Sequence, residues 1–123
     1  MDSNLVKLTR ELGKAIQATE TFKKVLSAVQ TNEADSELTA LVNRVQELQA
    51  MYRAGEESGK KPEELAAYEN EFNEVYAKIQ QNDNMKHYQE AQKELDEMMN
   101  YLVHILALCA GGADPDTCEP KKE

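Results

Sequence analysis

The stretch Ser36-Glu37-Leu38-Thr39-Ala40-Leu41-Val42-Asn43-Arg44-Val45-Gln46-Glu47-Leu48-Gln49-Ala50-Met51-Tyr52 decides the fold. Leu38, Leu41, Val45, Leu48 and Tyr52 recur at alternating steps of three and four, which places all five on one face of a helix. Asp35 stands where a side-chain cap is wanted, and Glu37 puts negative charge in the first turn. Beyond it, Gly55 and Ser58-Gly59-Lys60-Lys61 predict a turn. Pro62 then opens a second helix, because proline is tolerated in a first turn. Leu65, Tyr68, Phe72, Val75 and Ile79 repeat the three-four spacing. A short connection between two such stripes makes the helices antiparallel neighbours.

The same pattern extends outward in both directions. Leu5, Leu8, Leu12 and Ile16 form a stripe on a first helix that Asp2 or Ser3 can cap. Thr19 is placed to cap a short second helix carrying Phe22, Val25, Leu26 and Val29, with Glu20 and Lys24 as an i,i+4 pair. The polar run Gln30-Thr31-Asn32-Glu33 is expected to interrupt it. Asn82-Asp83-Asn84 starts a final helix through Met85, Tyr88, Leu95, Met98, Leu102, Ile105 and Leu106, which Gly111-Gly112 closes. The expected fold is therefore all-α: an antiparallel bundle of five helices, the longer ones coiled-coil-like and crossing at about 20 degrees. Residues 1–109 make a single helical domain, and 110–123 a flexible tail that holds a cysteine.

Composition agrees with this and narrows the function. The chain has 123 residues, one domain's worth, of which 41% are apolar, with only 5 Gly and 3 Pro. Lys plus Arg number 14 against 23 Asp plus Glu, a net charge of -9. A surface so acidic repels phosphate and argues against direct nucleic-acid binding. Mean hydropathy is -0.70, and no apolar run approaches the roughly 20 residues of a membrane span. Met1-Asp2-Ser3-Asn4 has neither the basic start nor the apolar stretch of a signal peptide, so a cytoplasmic location is the expectation.

The end of the last helix is apolar on more than one face. Tyr101, Leu102, Val103, Ile105, Leu106 and Leu108 exceed what a small monomeric bundle buries, unless the first two helices fold back over them. Met98, Tyr101, Leu102, Ile105 and Leu106 are therefore the expected partner-binding residues, with self-association the simplest use. Methionine suits such a surface because it adapts to different neighbours.

The two cysteines, Cys109 and Cys118, are too widely spaced for a C-x-x-C motif. Cys109 also falls on the stripe after Leu102 and Ile105, where a thiol can be a small buried hydrophobe. As ligands, two thiolates supply half of a metal or iron–sulfur centre, and other chains would supply the rest. His87 and His104 have no Glu three residues before them, so no di-metal motif is formed. There is no phosphate-binding glycine loop, nucleophile elbow or triad arrangement. A non-enzymatic protein is expected.

Beside this reading stands a resemblance. Leu12-Gly13-Lys14-Ala15-Ile16-Gln17-Ala18-Thr19-Glu20-Thr21-Phe22-Lys23 resembles the opening signature of the YlbF/YmcA family of small bacterial regulators. Asp35 stands where that family begins its long helix, Leu48 lies in that helix, and Met85 to Tyr88 match the start of its last one. The ending from Cys109 to Pro120 is similar to the cysteine-bearing tails of some members. The resemblance implies an all-helical, non-enzymatic regulatory adaptor that binds paralogous helical proteins and an unrelated partner. Such complexes are linked to competence, sporulation and biofilm control, and to directing an endoribonuclease in messenger RNA maturation. Some hold iron–sulfur clusters on cysteines pooled from several subunits. The resemblance thus carries a metal-ligand role over to Cys109 and Cys118, with an iron–sulfur cluster or zinc shared between subunits. Two other readings remain beside the adaptor: a metal- or cluster-sensing module built on these cysteines, and a plain homo-oligomeric structural protein.

Overall fold

The computed structural model describes residues 1–120, so the last three residues of the expected tail lie outside the described part. Among the described residues there are five α-helices and no strand: α1 Ser3–Gln17, α2 Glu20–Ala34, α3 Ser36–Glu57, α4 Pro62–Gln81 and α5 Asp83–Ala110. The chain is all-α, as its periodicity requires. Leu26–Gln89 is one compact unit, and Met1–Val25 with the chain from Glu90 onward is a second.

Side-chain caps set most helix starts. The Asp2 carboxylate accepts from the Asn4 and Leu5 amides at 2.8 and 3.4 Å. Thr19 Oγ1 accepts from the Phe22 amide at 3.1 Å, and Asn82 Oδ1 from the Met85 amide at 3.0 Å. Each satisfies an amide that has no partner within its own helix.

The second helix differs from expectation. It runs without interruption through Gln30-Thr31-Asn32-Glu33 to Ala34. Gln and Glu are good helix formers, and Thr31 Oγ1 donates back to the Ser27 carbonyl at 3.0 Å, so this polar run is compatible with a helix. The stop comes at Asp35, which caps α3 instead.

Within the Leu26–Gln89 unit, α3 and α4 form an antiparallel hairpin. Contacts step in opposite directions along the two helices: Gly55 meets Leu65, Arg44 meets Glu71 and Asp35 meets Asn82. Leu38, Leu48, Val75 and Ile79 form its buried core, flanked by Leu41, Val42, Val45, Tyr68, Phe72 and Met85. All the α3 stripe residues up to Leu48 therefore reach the core. Gly59, at φ +75, ends α3. Its amide donates to the Glu56 carbonyl and the Lys60 amide to the Gly55 carbonyl, at 3.3 and 2.9 Å, a Schellman ending. Gly55 lies one turn inside the helix and is buried; a Cβ there would sit 2.8 Å from Leu65 Cδ2.

Asp35 links three elements of this unit. Its Oδ1 accepts from the Leu38 amide at 3.0 Å, while Oδ2 accepts from Asn82 Nδ2 and Asn84 Nδ2 at 3.1 and 2.9 Å. The Leu38 amide and the two Asn side chains hold its carboxyl below the ordinary carboxylate range. Arg44 adds a bidentate grip on Glu71, with nitrogen–oxygen distances of 2.6 to 3.0 Å. Both partners are substantially exposed, so the pair serves more to fix the hairpin's register than to stabilise it.

In the other unit, Val25 and Ala91 are buried. Lys24 lies 3.7 Å from Glu94, and Glu20 pairs with Lys23 at the same distance; the expected Glu20–Lys24 pair gives way to these.

Candidate interaction surface and thiol pair

The C-terminal half of α5 is long enough to show which side of its apolar stripe is covered. At about 100° per residue, Met98, Leu102 and Ile105 fall on one line with Leu95. All four are half-buried rather than buried. Tyr101 and Leu106 flank that line on either side, about 140° apart, and are 47% and 58% exposed. Val103, 57% exposed, lies beyond Leu106. The five residues expected to bind a partner therefore form one continuous surface with a half-covered centre and open edges.

The first helix has the same character. Its Leu5, Leu8 and Leu12 face solvent, at 55%, 51% and 37% exposure, and no residue of α1 is buried. Lys7, Arg10 and Lys14 line up on the opposite face. A helix this segregated has one side that fits apolar contact and one that fits water.

A third feature was not legible in the sequence. In the Leu26–Gln89 unit, Val29, Leu38, Val42, Met85 and Tyr88 line an open groove of about 340 Å³. Asn32, in the polar run that proved helical, reaches its wall, and its Oδ1 is buried without a hydrogen-bond partner. Only the unbroken course of α2 brings Asn32 there.

The cysteines come together. Cys109 is the penultimate residue of α5, and just beyond the helix Gly112 takes φ +94. The Gly112 amide donates to the Cys109 carbonyl and the Ala113 amide to the Leu108 carbonyl, both at 3.0 Å, a second Schellman ending. Asp114 then organises a turn: its carboxylate accepts from the Asp116 amide at 3.0 Å, and its carbonyl from the Cys118 amide at 2.9 Å. The result places the Cys118 Sγ 4.0 Å from the Cys109 Sγ. Burial, and then the neighbouring Cys118 thiol, push the Cys109 thiol above its ordinary pKa. Among the described residues no third His, Cys, Asp or Glu joins the two sulfurs in a set able to hold a metal ion. The pair alone does not fit a cluster, which takes about four protein ligands.

Residues 5–108 match the family model described as control of competence regulator ComK, YlbF/YmcA. The chain belongs to the YlbF/YmcA family. Its place there is that of a regulatory protein, and the match takes in α2, α3 and α4 whole and most of α1 and α5. It stops one residue short of Cys109, so this YlbF/YmcA protein carries its thiol pair just outside the matched region. No curated protein matches the chain. Among the described residues no helix is long and apolar enough to cross a membrane.

Proposed function

We propose that this YlbF/YmcA protein is a non-enzymatic cytoplasmic adaptor that regulates by associating with other proteins, first with a second copy of itself or a paralogue of the same fold. The carrying observation is the open apolar surface of α5, from Met98 to Leu106, in a chain whose family is named for control of a competence regulator. Half-buried leucines with exposed apolar edges keep a free-energy gain in reserve that only another surface can collect. An endoribonuclease complex is the finer partner that the resemblance suggests, and the chain's net charge of -9 suits contact with the protein rather than its RNA. Light scattering tests the first step. The reading expects a particle mass of at least twice the 13.9 kDa chain at micromolar concentration. A monomer throughout would confine the surface to hetero-association.

One observation favours a second reading, a metal- or cluster-sensing module. Two thiols held 4.0 Å apart suit two positions of a soft-metal site completed by other chains. Because the Cys109 thiol holds its proton firmly, such binding would strengthen with rising pH. Elemental analysis of anaerobically purified protein, with a Cys109→Ser/Cys118→Ser control, tests it. Equal metal content in both samples removes it.

A further inference from the structure

The thiols are nine positions apart in sequence, and two successive turns bring them within 4.0 Å of each other. The Schellman ending at Gly112 reverses the chain, and the Asp114 turn returns Cys118 to the end of α5. Both residues are half-buried, so the pair is partly shielded yet open to a small reagent. Bonding requires an approach of about 2 Å, and Gly111 and Gly112 give the backbone the freedom to provide it. These are the chain's only cysteines, so neither has a competing partner within it.

We propose that Cys109 and Cys118 form a reversible redox pair, joined as an intrachain disulfide through exchange with low-molecular-weight disulfides. The exchange runs in two steps. One cysteine thiolate attacks a sulfur of the small disulfide, giving a mixed disulfide and releasing one small thiolate. The second cysteine thiolate attacks the protein sulfur of that mixed disulfide. The Cys109–Cys118 bond forms and the second small thiolate leaves. The two protons lost by the cysteines pass through solvent to the two released thiolates. The protein is oxidised by two electrons, and the small disulfide is reduced to two thiols. In the bonded state neither sulfur has a thiolate to offer a metal, so the bond excludes any ligand role for the pair. The proposal is independent of the association surface.

The test uses the full reduced chain, equilibrated with oxidised and reduced glutathione at graded ratios. Acid quenching, alkylation and intact-mass and peptide mass spectrometry read the products. The wild type is expected to lose two hydrogens and both free thiols while staying one chain, with a peptide linking Cys109 to Cys118. Cys109→Ser and Cys118→Ser should each instead keep one glutathione on the remaining cysteine, since no second thiol is present to displace it. Both positions are at the helix end or beyond it, and circular dichroism confirms that the variants stay helical. Glutathione retained by the wild type to the same extent as by the variants would overturn the proposal. So would a disulfide between chains, or a wild type left reduced where the variants accept glutathione.

Discussion

Removing the edges of the α5 surface should weaken association without harming the fold. Tyr101 and Leu106 are 47% and 58% exposed, so about half of each side chain remains to be covered. Full burial of a large apolar side chain is worth about 1.5–3 kcal/mol, which leaves roughly 1 kcal/mol to gain at each position. Tyr101→Ala with Leu106→Ala therefore forfeits about 2 kcal/mol per chain, or about 4 kcal/mol in a two-fold dimer that buries this surface on both chains, roughly a 1000-fold drop in association constant. Alanine is the best helix former and the sites are open, so the stability of the fold should move by no more than about 0.5 kcal/mol. Sedimentation equilibrium across a wide concentration range reads the association constant, and thermal melting followed by circular dichroism checks the fold. An association constant within threefold of the wild type, in a variant that melts normally, would refute the reasoning.

Other consequences follow from the packing. Leu48, 1% exposed at the centre of the α3–α4 core, should cost about 2–5 kcal/mol when changed to alanine, seen as a lower denaturant midpoint. Gly59→Ala forces a side chain into φ +75 and should cost about 1–2 kcal/mol. Gly13→Ala, in α1 with nothing within 4 Å of the added Cβ, should instead stabilise by up to about 1 kcal/mol, and the two melts should shift in opposite directions. Asp35→Asn tests the junction of α3, α4 and α5. The folded-state pKa of Asp35 lies below its unfolded value, so the charged form's contribution is fully present above about pH 4 and fades as pH falls through the depressed value. The stability difference between wild type and variant should therefore be constant from neutral pH down to about pH 5 and narrow below it. A difference that widens on acidification would contradict that assignment.

The helices were legible where apolar spacing and caps agree. Leu38 to Leu48 and Tyr68 to Ile79 reach one core, and Asp2, Thr19, Asp35 and Asn82 each cap the helix they precede. The polar run Gln30 to Glu33 carries no apolar spacing, yet its residues are helix-compatible and α2 continues through them. Gly55 was expected in the turn but belongs inside α3, because Gly59 is the residue that takes the left-handed conformation and Leu65 needs the space over Gly55. Lys24 chose Glu94, seventy positions away, over the local Glu20, a choice that no local pattern encodes. The α5 stripe could be drawn from spacing, but its division into a half-covered centre at Met98, Leu102 and Ile105 and open edges at Tyr101 and Leu106 depends on neighbouring elements. The meeting of Cys109 and Cys118 depends on two consecutive turns whose hydrogen bonds have no periodic signature. Asn32 and its groove follow only once α2 is known to run unbroken.

The central claim is that this YlbF/YmcA protein acts by binding other proteins through α5. Anaerobic affinity capture from its own host, comparing the tagged wild type with a Tyr101→Asp/Leu106→Asp variant of unchanged helicity, tests it most directly. The account predicts that the wild type retains paralogous helical proteins or an endoribonuclease and that the variant loses them. Retention of the same proteins by both, at equal yield, would contradict it.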